Sequence, residues 1–245
     1  MTNYIKKLSG KQYLERIKNN PIVIIPTGAC EIYGPHLPMG TDLIVAKKIS
    51  EILSEKTDAL IAPTIEIGES SALESFGCTF SIPRKILEDY IDELLKKFIN
   101  DGLKKFLFIT GHAGNVDTIN YISKKNINKY DIKIAQVDWW RFTSFNGQGI
   151  FDYTGQMAHG HASECGTSVM LYLFPELVNM KELTKIDPQV NKYEDIIKIE
   201  RFSNKTINGT IGDSKVASGL KGEKIVEKCI NKILDFINDE FMEGV

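Results

Sequence analysis

Two short, unbroken apolar runs constrain this chain more than any other feature. Pro21–Thr27 (PIVIIPT) and Phe106–Thr110 (FLFIT) are rich in β-branched and aromatic residues and show no polar alternation. A strand with one wet face alternates; a strand without alternation is covered on both faces, as in parallel sheets between helical layers. The intervening sequence supplies the helices. Leu43–Leu53 carries apolar residues at helical spacing, with Thr41 or Asp42 as its N-cap. Arg84–Ile99 sets Leu87, Ile91, Leu94, Leu95 and Phe98 along one stripe. Ala59–Pro63 and Ile132–Val137 read as further strands. The stretch from Val116 onward, Cys165–Phe174 and Glu223–Phe241 read as helices, and Lys181–Gly219 as loop with short elements. Strands alternating with helices predict an α/β protein with a mostly parallel central sheet covered on both sides.

Bulk properties narrow the function classes. The 245 residues (27.6 kDa) suit one large domain, taken here as 1–245, with enough core to fold unaided. Lys+Arg 30 against Asp+Glu 32 leaves a net charge of −2, so there is no electrostatic footprint for nucleic acid or an anionic membrane. No apolar run approaches the ~18 residues of a membrane span. The four cysteines, Cys30, Cys78, Cys165 and Cys229, are widely separated and form no C-x-x-C, which favours free thiols and a cytoplasmic protein.

Chemistry concentrates in three glycine-bearing motifs that hold all four histidines. They are Glu31-Ile-Tyr-Gly-Pro-His36-Leu-Pro-Met-Gly-Thr-Asp42, Gly111-His112-Ala-Gly-Asn115 and His159-Gly-His161-Ala-Ser-Glu164. The first follows the strand Pro21–Thr27 and the second follows Phe106–Thr110. Ligands of open α/β sheets bind beyond the carboxyl ends of strands, so both loops emerge at the binding edge. Carboxylates and imidazoles together are the ligand set of zinc, manganese or ferrous iron. Simpler roles compete at several positions. Asp42 and Asn115 are candidate helix caps, His159 a candidate surface group, and Trp139 and Trp140 either core or pocket wall.

At these motifs the chain resembles the creatininase (creatinine amidohydrolase) family. Gly28 to Asp42 is similar to Gly-x-x-Glu-Gln-His-Gly-x-His-Leu-Pro-x-x-Thr-Asp, apart from Ile32 and Tyr33. Thr110 to Asn115 is similar to Asn-Gly-His-Gly-Gly-Asn, and His161 to Leu171 to His-Ala-Gly-Glu-x-Glu-Thr-Ser-x-Met-Leu. The resemblance implies a three-layer α/β/α domain, commonly assembled as a hexamer. It also implies a metal-dependent hydrolase of non-peptide C–N bonds in small molecules, such as cyclic amides and formamides. By position, Glu31, Asp42 and His112 would hold a first metal, with Asp42 bridging to a second. His161 would transfer protons beside the substrate, with Glu164 as a second group able to protonate the leaving nitrogen.

Two departures touch the second metal. Tyr33 stands where the pattern has a histidine ligand, and Gly166 replaces a carboxylate. Either the second site is lost, or His36 and Glu164 rebuild it; Tyr33, His36 and Asn115 are thus candidate second-metal or substrate residues. The expectation is one or two divalent ions (Zn, Mn or Fe) per chain. The alternatives are a formamide deformylase of nucleotide-precursor type and a pseudoenzyme that keeps the fold.

Overall fold

The structure, a computed structural model, describes residues 2–190, 192–193, 195–196 and 198–242. In chain order its principal elements are α1 (Gly10–Arg16), β1 (Ile22–Thr27), α2 (Thr41–Thr57), β2 (Leu60–Ile61), α3 (Arg84–Asn100), β3 (Lys105–Thr110), α4 (Val116–Ile127), β4 (Lys133–Asp138), α5 (Trp139–Asn146), α6 (Gly155–His159), α7 (Glu164–Leu173), β5 (Lys185–Ile186), β6 (Gly212–Asp213) and α8 (Gly219–Ile237). Strands β1 to β4 form one sheet in the order β2-β1-β3-β4, parallel throughout. β5 and β6 pair antiparallel as a separate ribbon within the otherwise irregular 181–219 segment.

Every residue of β1 is buried, as its lack of alternation requires. Successive side chains go to opposite faces. Ile22 and Ile24, with Leu107, Ile109 and Val137, meet Val45, Ile49 and Leu53 of α2, Val169 and Met170 of α7, and Ile225, Ile230 and Ile233 of α8. Val23 and Ile25, with Phe106 and Phe108, meet Leu87, Ile91 and Leu95 of α3 and Ile119 and Ile122 of α4. Two cores on one sheet make the three layers. Each such aliphatic side chain contributes roughly 1.5–3 kcal/mol on burial, so packing holds these helices more than propensity does.

Some boundaries differ from the sequence reading. α2 starts at Thr41 with Gly40 as its N-cap, because the Thr41 hydroxyl donates to Pro38 O and Asp42 lies within the first turn. α8 starts earlier, at Gly219, where the Ser218 side chain accepts from Lys221 N. α1, α5 and α6 have no counterpart in the sequence reading. The signal for α1 was present: Ser9 and Gln12 form a reciprocal capping box.

Topology places the site. The chain leaves β1 for β2 on one side, and β3 then pairs on the other side of β1. β1 and β3 therefore flank a switch point, where the loops beyond their carboxyl ends diverge and open a crevice. Both metal-type motifs leave the sheet there.

Candidate metal centre

The loop after β1 folds back on itself through Glu31 N donating to Met39 O at 2.9 Å, which holds Glu31 beside the start of α2. The loop after β3 is pinned by Gly111 N donating to Thr27 O at 2.8 Å. A side chain at Gly111 would lie 2.1 Å from Asp42 O, so the absence of a Cβ is what lets the two loops touch. The result brings together three residues that lie far apart in sequence. Glu31, Asp42 and His112 are all buried, and each offers a ligand atom within 4.8 Å of the others.

His112 Nδ1 lies 3.1 Å from Asp42 Oδ2 and 3.4 Å from Glu31 Oε2. Its Nε2 lies 2.8 Å from the backbone oxygen of Glu69, which can only accept, so Nε2 carries the proton and donates it there. The lone-pair nitrogen therefore points at two carboxylates. That arrangement is repulsive unless a proton or a metal cation sits between them. Glu31 Oε2 is buried and has no hydrogen-bond partner. An orphaned carboxylate oxygen, an oriented imidazole and a second carboxylate are a donor set that fits a divalent ion.

The electrostatics carry the same signature. Burial alone would raise the Glu31 carboxyl; the neighbouring His112 and His161 imidazoles outweigh it and hold Glu31 well below the carboxylate range. Burial opposes a charged His112, yet Asp42 and Glu31 push its imidazole well above the usual value. Burial together with the neighbouring Glu31 charge raises Asp42, against the pull of His112 and the Trp140 indole.

Of the other sequence candidates, His161 joins the site. Its Nδ1 donates to Gly209 O at 2.6 Å and its Nε2 lies 3.3 Å from Glu31 Oε1. Ala162 beside it has φ 52°, a left-handed conformation unusual for alanine. Tyr33 is also at the centre: buried, its ring 4.3 Å from His161 and 6.3 Å from Trp140. Burial, then the Asp42 carboxylate, raise its phenol well above the ordinary range.

The remaining candidates are drawn elsewhere. Glu164 is fully buried, but its carboxylate accepts from Asp152 N, Tyr153 N and Lys221 Nζ, the last at 2.6 Å. That engagement occupies both of its carboxylate oxygens. His36 turns its Nε2 onto Thr167 Oγ1 at 2.9 Å, and burial pushes its imidazole down to about 4. Asn115 stands at the N-cap position of α4 without a side-chain cap bond: its amide donates to Gly28 O and accepts from Glu69 N, stitching two loops together. His159 is half-buried edge-on to Phe151. Trp139 is core, whereas Trp140 Nε1 donates to Asp42 Oδ1 at 2.8 Å. Phe202, from the 181–219 segment, packs edge-on to His161 at 5.1 Å and touches Phe76. Sequence reading missed Phe202, together with the backbone oxygens of Glu69 and Gly209, which no side-chain pattern announces.

A parallel sheet of this topology, with a buried carboxylate–imidazole cradle at its switch point, defines the class: a metal-dependent hydrolase of the amidohydrolase type. A sequence model of one such family, described as Creatininase: creatinine amidohydrolase, matches residues 6–237, and the chain belongs to that family. The creatinine amidohydrolase of Pseudomonas putida is 24% identical over 257 residues, covering 97% of each chain. A mycofactocin precursor peptide peptidase of Mycolicibacterium smegmatis is 27% identical over 231 residues, covering 89% of this chain and 84% of that one. A solved creatininase described with manganese superposes with a TM-score of 0.85 at 24% identity, over 98% of this chain and 99% of the other.

Proposed function

We propose that the protein hydrolyses the carbonyl–nitrogen bond of a small non-peptide amide, cyclic amide or formamide, using a divalent zinc, manganese or iron ion held by Glu31, Asp42 and His112. The observation that carries this reading is the unpartnered Glu31 Oε2 facing the lone pair of His112, beside Asp42. When bound, such an ion lowers the pKa of a water and polarises the scissile carbonyl.

The chain's own groups do the rest. Glu69 O fixes the His112 ring through Nε2, so Nδ1 is always the nitrogen presented. Gly209 O holds the His161 proton at Nδ1, leaving Nε2 to take the proton of the attacking water and pass it to the leaving nitrogen. Glu31 Oε1, 3.3 Å away, steadies the charged imidazole in between. Phe202, with Phe76 packed edge-on to it, lies against the His161 ring, which limits water at the proton-transfer step.

Among the described residues no helix is long and apolar enough to cross a membrane. We place the protein in the cytoplasm as a homo-oligomer. Val190, Ile199 and Ile207 on the 181–219 segment are 92%, 95% and 87% exposed, a cost that assembly would remove. The test is a panel of lactams, formamides and short peptides offered to metal-loaded and chelator-stripped protein. Metal-dependent cleavage of a non-peptide amide, lost in Asp42→Ala, supports the reading. Protein that purifies and reconstitutes without metal refutes it.

A further inference from the structure

We propose that the metal centre of this chain is mononuclear, because Tyr33 and Trp140 occupy both the space and the carboxylate oxygen that a second cation would need. This inference rests on the first site as read above and concerns its neighbour.

A carboxylate that bridges two cations must offer an oxygen to each. Asp42 Oδ2 faces His112, the first position. Its other oxygen, Oδ1, accepts from Trp140 Nε1 at 2.8 Å. An indole N–H is a donor only and cannot ligate a metal, so the outer oxygen of Asp42 is closed by a neutral group.

The adjoining volume is filled as well. The Tyr33 ring centroid lies 4.3 Å from that of His161 and 6.3 Å from that of Trp140. A Cβ built on Gly166 would sit 3.8 Å from Tyr33 Cε1 and 3.9 Å from Trp140 Cη2. A carboxylate reaching inward from position 166 would therefore enter the space of those rings. The two sequence departures are one structural exchange: the acid is gone, and the aromatic ring stands where it would have reached. The cavity left among Tyr33, Trp140, Thr143, His159, Gly160, Cys165 and Gly166 is about 10 Å³, room for about one water, and none of these side chains offers it a carboxylate.

Nor do the two candidate replacements reach in. His36 is held by Thr167, and Glu164 by Lys221 and two backbone N–H groups. A phenol with an ordinary pKa of about 10 remains neutral near pH 7 and is a poor ligand. The second position thus holds neutral donors where a cation would need anionic or lone-pair ligands.

The experiment titrates chelator-stripped protein with Mn²⁺, reading stoichiometry by calorimetry and elemental analysis, and metal–metal coupling by electron paramagnetic resonance. Wild type is expected to bind one equivalent with the spectrum of an isolated ion. Tyr33→His/Gly166→Glu, which restores an imidazole and a carboxylate together, is expected to bind two with a coupled spectrum. Trp140→Phe, which frees Asp42 Oδ1 without adding a ligand, should remain at one. If the double variant does not fold, as judged by circular dichroism, Tyr33→His alone supplies the gain of a weaker second equivalent. Two coupled ions in wild type, or one ion in a folded double variant, would overturn the inference while leaving the hydrolase reading intact. No bound ion in wild type would instead defeat the hydrolase reading itself.

Discussion

Two buried polar clusters grow from the same histidine-bearing motifs, and they have opposite character. Around α7 and α8 the accounts close. Glu164 has Lys221 and two backbone donors, and His36, with no carboxylate against it, stays neutral on Thr167. Its Nδ1 is unpartnered, but a neutral lone pair is far less costly to bury than a charge. At the β1–β3 crevice the accounts do not close. Glu31 and Asp42 share the His112 imidazole, His161 reaches only Glu31 Oε1, Glu31 Oε2 has no partner, and burial forbids solvent from making up the difference. Burial of a motif residue is therefore not what marks a ligand. Residual negative charge in a place water does not reach is the mark, and it separates Glu31 from Glu164 although both are buried glutamates in matching motifs.

The comparison breaks most sharply under ligand removal. Asp42→Ala and His112→Ala should each lose the metal, by more than the roughly 100-fold that outer-shell changes reach, while keeping the fold. Both side chains lie beyond the strand ends, outside the two apolar cores. Elemental analysis and circular dichroism check this; wild-type metal content in either variant would remove these residues from the centre.

His161 is the next largest effect. Its Nε2 lies 3.3 Å from Glu31 Oε1 while its Nδ1 donates to Gly209 O, and the proposed role for that Nε2 nitrogen is proton transfer. His161→Ala should retain its metal and lose about 10²–10⁴-fold in turnover of the amide found in the panel. A variant that comes out metal-free makes His161 a ligand.

How much of this was legible in the sequence follows the range of the interactions. β1 was readable to within a residue because its signal, an unbroken apolar run, is local. α3 was readable because its stripe repeats every turn. The Glu31, Asp42 and His112 cluster was readable because each sits just past a strand or at a helix start, where topology forces convergence. Trp140 on Asp42 spans 98 positions and Lys221 on Glu164 spans 57, and no spacing encodes either. The motif marks Glu164 as a proton-transfer candidate, and its contact with a lysine on another helix has no sequence signal. The Glu69 and Gly209 contacts use backbone oxygens, which every residue has.

Lys221 makes the contrast measurable as stability. Lys221→Met leaves the fully buried Glu164 without its cation, and loss of one partner of a buried pair costs on the order of 3 kcal/mol. Urea unfolding should register that loss while metal content stays at the wild-type level. Loss of metal with unchanged stability would place Glu164 in the centre after all.

The smallest effect is a pH dependence with a definite sign. The folded-state pKa of His36 is lowered by burial from 6.5 to about 4, so the unfolded chain takes up a proton at higher pH than the folded one does. Below pH 6.5 the unfolded state binds more protons, and the stability due to a neutral His36 falls as pH drops from 6.5 to about 4. The gap corresponds to about 3 kcal/mol at most over that window. His36→Gln cannot charge, so its unfolding free energy should decline less steeply than wild type between those limits, with the two lines parallel above pH 7. Carboxylates at the crevice titrate alike in both proteins and cancel in the difference. Identical slopes would mean that His36 is not held neutral, and the closed cluster would then carry a charge that its neighbours do not answer.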